Sequence, residues 1–262
     1  RIFLEVAWTA LENAGYGGNR LYQTKTGVFV GVSHHNYRDL AFNPNDTFSV
    51  LGHSPAMVAN RLSYFMNFGG PSLAVDTQCS SSLVALNYAC KSINTGECEY
   101  AIAGGVNLRL LPFKGIGAIG IESAGYRTKT FDQYSDGTVW GEGVAAVVLK
   151  PLAKARRDGD HIYAVLKGST VNQDGNSIGI TAPNVLAQED MLVKAWRDAG
   201  VEPETISYIE AHGTGTPLGD PVEVAALSKA FRRFTTRKQF CAISAVKTNI
   251  GHLDSVSGIA GL

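Results

Sequence analysis

The chain has 262 residues, 45% hydrophobic and 18% charged, with 23 basic side chains balanced by 23 acidic ones. That length holds one large domain or two closely packed halves, with ample apolar material for a core. The charge balance argues against a general nucleic-acid surface, and no apolar run nears the ~18–20 residues that span a bilayer, so a soluble, cytoplasmic protein is expected.

In chain order, "RIFLEVAWTALENAGYG" reads as an amphipathic helix, and "GVFVGVS" (27–33) as a buried strand. "SPAMVANRLSYFMNF" (54–68) reads as a helix with Ser54 as cap and Pro55 in its first turn. "SLAVDT" (72–77) is a strand, followed by a helix from Cys79 to about Asn94. "YAIAGGVNL" (100–108) and "GVAAVVLK" (143–150) are two more strands. The second half repeats the theme. A strand is predicted over 161–171, a helix over 186–200 ended by Gly200, and a strand over 206–213. A helix follows over 220–234, with Asp220 as cap and Pro221 at its first position, then a strand over 241–246 and a helix from about Asp254. Strands alternating with helices imply parallel sheets covered on both faces, and the recurring theme hints at an internal duplication. Arg1 starts inside one helical pattern and "DSVSGIAGL" stops inside another, so a piece of a longer chain is expected.

The four cysteines are Cys79, Cys90, Cys98 and Cys241. None forms a C-x-x-C pair, which disfavours a zinc site, and a domain of this size needs no disulfides. Cys90 and Cys241 read as small buried hydrophobes, and Cys98 as a residue near a loop with no evident role.

Cys79 differs. In "AVDTQCSSSLVAL" (74–86) it stands where a strand ends and a helix begins, with Leu83, Leu86, Cys90 and Ile93 forming the inward stripe. Unpaired N–H groups at a helix start stabilise a thiolate and can hold an adjacent oxyanion. A second cluster, "EAHGTGTPLGDP" (210–221), lacks the G-K-[ST] ending of a nucleotide P-loop. It presents His212 at a strand end beside Thr214 and Thr216. A third, "SAVKTNIGHLD" (244–254), carries Lys247 five residues before His252. A nearby cation helps to keep an imidazole neutral, although a merely solvated Lys247 stays open on this cluster alone. A thiol with two histidines and no carboxylate suits enolate stabilisation and carbon–carbon bond chemistry better than hydrolysis.

The motifs "GPSLAVDTQCSSSLVAL" (70–86), "FDQYSDGTVWGEG" (131–143), "VNQDGNSIGITAPN" (171–184), "EAHGTGTPLGDPVE" (210–223) and "VKTNIGHLDSVSGIAGL" (246–262) follow one another in a familiar order. They resemble the β-ketoacyl synthases, specifically the ketosynthase domains of modular polyketide synthases. The resemblance implies an α/β, thiolase-like fold of duplicated βα halves in a five-layered αβαβα sandwich. It implies a single domain over 1–262 truncated at both ends, with the nucleophile in about 1–150 and the histidines in 151–262. The family's first strand precedes Arg1, and its second oxyanion donor follows the last residue. Cys79 matches the acyl-accepting nucleophile. His212 and His252 match the pair that promotes decarboxylation of a malonyl-type unit and holds the enolate oxygen. Lys247 matches a supporting lysine with Asp220 as a plausible partner, and Thr214 and Thr216 match the hydroxyls that hold the pantetheine arm. The implied partners are an acyl carrier protein with its phosphopantetheine, a second copy of the chain and other domains of a synthase, with no cofactor or metal in the domain itself. Gln78 departs from the family's usual alanine. The implied activity is decarboxylative Claisen condensation. The alternatives are a non-elongating relay of acyl chains and a cysteine hydrolase.

Overall fold

A computed structural model describes residues 1–33, 38, 41–110 and 120–262. The chain divides into two units, one of Arg1–Ile116, Glu142–Val165 and Leu253–Ala260, the other of Gly117–Gly141, Leu166–His252 and Gly261–Leu262.

The first unit is built on a sheet of order β2-β1-β3-β4, with β1 Thr26–Gly31, β2 Ser72–Val75, β3 Tyr100–Asn107 and β4 Gly143–Leu149. β1 is buried throughout, and its alternate residues feed two cores. Val28 and Val30, with Ile102, pack on Phe3, Ala7 and Leu11 of α1 (Ile2–Asn13) and on Ala59, Leu62 and Met66 of α3 (Met57–Met66). Phe29, with Ala101 and Ala103, packs on Ala85, Leu86 and Ala89 of α4 (Ser81–Asn94) and on Ile259 of α9 (Ser257–Gly261). Of the stripe expected on α4, Leu86 is in this core with Cys90 and Ile93 at its margin, but Leu83 is 46% exposed, and Ala85 and Ala89 pack inward beside them. Cys98, expected near a loop, is buried in this second core. Two short helices complete the unit, α2 (Thr47–Gly52) and α5 (Leu152–Asp158).

Three details differ from expectation. β1 pairs in parallel with β2 and β3, but β4 runs antiparallel to β3, from Ala101 opposite Leu149 to Asn107 opposite Gly143. A parallel return needs a crossover, usually a helix, and no helix is found between β3 and β4 among the described residues. α3 begins at Met57 after an Ala56 cap that makes no side-chain bond, so Ser54 and Pro55 lie before the helix. Asn67, in the left-handed region at φ +50°, ends it.

The second unit carries a two-stranded parallel sheet, β5 (Tyr208–Glu210) beside β6 (Ala242–Ser244). α6 (Val185–Ala199) packs on α7 (Gly219–Arg232) through Val193, Trp196 and Ala230. The limits of α6 follow from its caps. The Asn184 side chain accepts the N–H groups of Leu186 and Ala187, and Gly200 closes the helix at φ +57°. The strand expected over 161–171 does not form. Its apolar residues, including Tyr163, Val165 and Val171, are exposed, and among the described residues no ladder pairs with it. Among the described residues, no helix is long and apolar enough to cross a membrane.

Candidate active site

In the first unit, β2 leads into a single 3₁₀ turn, Gln78–Ser80, and α4 begins only at Ser81. Half-buried Cys79 therefore sits in the turn just ahead of the helix, not in its first residue. Gln78 adopts φ +55°, a conformation that costs a non-glycine residue roughly 1 kcal/mol or more. The turn is stitched to hold it. Gln78 N–H donates to the Asp76 carboxylate (3.1 Å), Ser80 Oγ donates to the Thr77 carbonyl (2.8 Å), and Ser81 Oγ donates to the Gln78 carbonyl (2.6 Å) while accepting the Thr77 N–H (2.9 Å). Ser82, fully buried, accepts the Ile259 N–H (3.2 Å). The serine triplet after Cys79 is thus a set of backbone clamps. Gly31 at the end of β1 lets this corner close on the sheet, because a Cβ there would lie 2.6 Å from the Ser82 nitrogen.

Burial pushes the thiols of Cys90, Cys98 and Cys241 up in pKa. Cys79 is half-buried in the turn ahead of α4. Iodoacetamide near neutral pH is expected to label Cys79 at least about tenfold faster than Cys90 or Cys98. Peptide mapping checks this, and equal labelling of the three contradicts it.

In the second unit, His212 lies just past β5, on a turn whose backbone is held by a carboxylate not singled out from the sequence. Glu223 of α7 accepts the N–H of His212 (2.7 Å) and of Gly213 (2.8 Å). Burial raises the Glu223 pKa, while those two N–H groups and Lys247 oppose the rise. Asp220, one turn earlier on the same helix face, is 4% exposed and accepts the N–H groups of Gly215 (3.0 Å) and Phe131 (2.8 Å). It is an inner residue of α7, whose cap is Leu218, so the capping role expected of Asp220 does not hold. Gly213 (φ +46°) has no room for a side chain, since a Cβ would lie 2.5 Å from both Ala245 Cβ and Thr130 Cγ2. Thr214 and Thr216 face each other with their hydroxyls 3.0 Å apart.

His252 follows the short helix α8 (Lys247–Ile250) and is 1% exposed. Its backbone N–H donates to the Val139 carbonyl (2.7 Å), and its own carbonyl accepts the Gly141 N–H (2.9 Å), which locks it beside Trp140 at a ring separation of 5.0 Å. The rings of His212 and His252 meet edge to face, 5.5 Å between centroids and 89° between planes. Crowding by the surrounding protein, and then the charge of Lys247, lower the His212 pKa to about 4, although the residue as a whole is solvent-exposed, which weakens the crowding part of that shift. Lys247 itself is 4% exposed, so a merely solvated lysine is excluded. The second unit therefore gathers His212, His252, Lys247, Asp220, Thr214 and Thr216, all expected from the sequence, and adds Glu223 and Trp140. The signal for Glu223 is present in "GDPVE": two acids three apart on one helix face, directly after the His212 turn. Among the described residues no group of three or more histidines, cysteines or carboxylates is placed to hold a metal ion.

Glu223→Gln leaves one N–H of the His212 turn without its acceptor. We expect the NMR titration profile of the His212 imidazole to be displaced as its turn loosens. An unchanged profile would reduce Glu223 to a structural residue.

The β-ketoacyl synthase N-terminal domain model matches residues 1–155, and the β-ketoacyl synthase C-terminal domain model matches residues 163–262. Polyketide synthase PksM of Bacillus subtilis is 50% identical over the whole chain, which spans 6% of that protein. Polyketide synthase PksL of the same organism is 48% identical, again over the whole chain and 6% of its own length. Among solved structures, the ketosynthase from module 6 of the bacillaene synthase of Bacillus subtilis superposes with a TM-score of 0.93 at 43% identity, over all of this chain and 45% of that one. Matched along its length by both domain models and superposing closely on a ketosynthase, the chain belongs to the β-ketoacyl synthase family and has the thiolase-like α/β fold of its ketosynthase domains.

Proposed function

We propose that the chain carries the reacting residues of an elongating ketosynthase of a polyketide synthase. The observation that carries this reading is the pair of imidazoles in edge contact, 5.5 Å between centroids, and the lowered His212 pKa is consistent with it. Neutral imidazoles donate N–H hydrogen bonds to a developing oxyanion without competing for its proton.

In the first half-reaction, Cys79 Sγ attacks the acyl thioester of a carrier protein. A new C–S bond forms, and the carrier thiol leaves with a proton. In the second, a malonyl-type thioester loses carbon dioxide, and the electrons of the broken C–C bond become an enolate whose oxygen accepts hydrogen bonds from His212 and His252. The enolate carbon attacks the Cys79 thioester carbonyl, the Cys79 thiolate leaves, and the β-ketoacyl product remains on the second carrier. Burial, and then Lys247, favour neutral His212, while Glu223 and Asp220 fix the turn that carries it. Thr214 and Thr216 hold the pantetheine arm. No cofactor enters these steps beyond the carrier's own prosthetic arm. A homodimer, covalent neighbours in a larger synthase and a cytoplasmic location complete the reading.

The test is to supply an acyl-carrier thioester, find the acyl mass on the Cys79 peptide, then add malonyl-carrier. A β-ketoacyl carrier is the expected product. Loading without product favours a relay of acyl chains, and free acid favours a hydrolase.

A further inference from the structure

Within the second unit, the backbone of His252 is fixed by its bonds to Val139 and Gly141, but the angle of its ring is not. The torsion at the ring bond of a histidine is broad and two-fold, so neighbouring side chains decide where the ring nitrogens point. Trp140 is such a neighbour. Its indole lies 5.0 Å from the His252 ring at 47°, while the edge contact with His212 closes another side. The indole is itself tethered, its Nε1–H donating to Glu122 Oε1 (3.3 Å). An indole has one N–H and no acceptor, so this bond selects which way round the ring lies. Glu122 is a half-buried carboxylate whose second oxygen accepts the Ile121 N–H (3.2 Å). Its segment is held against the chain that leads to Trp140. Ser123 N–H donates to the Thr138 carbonyl (2.8 Å), and Thr138 N–H donates to the Ile121 carbonyl (2.7 Å). The two runs close on each other at Gly137 (φ +144°), where a Cβ would lie 2.5 Å from the Glu122 carbonyl carbon.

We propose that Trp140, tethered by Glu122, is a positioning residue that sets the ring angle of His252 and so aims its N–H at the enolate oxygen. The proposal rests on the enolate-holding reading of the two histidines. It makes the Glu122–Trp140 pair a determinant of condensation rate, and not of acyl loading or carrier affinity.

The test measures acylation of Cys79 and condensation with malonyl-carrier separately, in the full-length protein and its variants. Trp140→Leu is expected to lower the kcat of condensation about tenfold, because a small misplacement of a reacting group is costly. Trp140→Phe and Glu122→Ala should each lower it about threefold, and Glu122→Gln, which keeps an acceptor oxygen, should retain most of the rate. Acyl loading and the KM for malonyl-carrier should stay within about twofold of wild type. Combining Glu122→Ala with Trp140→Phe should add nothing to Trp140→Phe alone, since the tethered N–H is already gone. Independently of turnover, the NMR resonances of the His252 ring protons should move in Glu122→Ala, which leaves the indole present but untethered, and stay in place in Glu122→Gln. Normal condensation in Trp140→Leu overturns the proposal, as do effects of the two sites that multiply, or ring resonances that do not move. Loading and condensation that fall together with the melting temperature also overturn it and leave the pair a packing role. If Trp140→Leu fails to fold, Trp140→Phe and Glu122→Ala carry the same comparison. If wild type loads Cys79 and never condenses, the ketosynthase reading fails instead, and the resonance shifts still decide whether the pair sets the ring.

Discussion

Cys79→Ala is expected to abolish acyl-thioester formation, lowering loading by at least about 10⁴-fold, because no other group stands in for a nucleophile on its turn. The neighbouring serines do not substitute. Ser80 and Ser81 spend their hydroxyls on the Thr77 and Gln78 carbonyls, and Ser82 faces α9 in the core. The variant should fold, since the thiol is half-buried and the clamps that shape the turn belong to other residues, so a stability change within about 1 kcal/mol is expected. Mass spectrometry of the Cys79-containing peptide after exposure to an acyl-carrier thioester reads the result. Persistent acylation of the alanine variant elsewhere in the chain would remove Cys79 from the mechanism.

The second large effect belongs to the imidazoles. On the proposed mechanism His212→Ala and His252→Ala each remove one oxyanion donor, with an expected loss of ~10²–10³ in kcat, equivalent to ~2.7–4 kcal/mol. Loading of Cys79 should fall far less than condensation, because the first half-reaction needs no enolate. His252 is fully packed against Trp140, so its alanine variant also opens a cavity, and His252→Asn, which keeps an N–H donor, separates chemistry from packing. The pH dependence carries a sign. In the proposed mechanism His212 works in its neutral form, and burial and then Lys247 lower its pKa to about 4, so condensation limited by this group is expected to be lost only as pH falls towards that value. Lys247 is the like charge that helps to hold the pKa down, so Lys247→Met should move the acid limb to higher pH. A limb that stays in place or moves down would show that Lys247 acts otherwise.

How far the sequence reaches depends on how local each cause is. α6 is legible to within a residue at each end because Asn184 and Gly200 are short-range caps. His212 is legible as a glycine-flanked residue just past a strand, whereas His252, expected at a strand end, follows the short helix α8. The direction of β4 is not, since strand direction is set by the connection and the register, neither of which alternation of apolar residues encodes. The segment 161–171 has the composition of a strand, but a strand exists only through a partner's hydrogen bonds, and composition names no partner. Asp220 looks like a helix cap because Asp before Pro usually is one. Here its carboxylate turns back to the Gly215 and Phe131 amides, a contact spanning 89 positions in the second case. Glu223 is only half legible: its spacing from Asp220 in "GDPVE" puts both acids on one helix face but does not say which amides they bond. An acid that bonds backbone amides of a preceding turn has the same local signature as an ordinary solvated glutamate.

The most direct trial is a single-turnover chase. Cys79 is first loaded with an isotopically labelled acyl chain, excess donor is removed, and malonyl-carrier is added. A ketosynthase delivers the label to the second carrier as a chain extended by an acetyl-type unit, with carbon dioxide released in equal amount. Label recovered as free acid, or as an unextended acyl carrier without carbon dioxide release, would contradict the account.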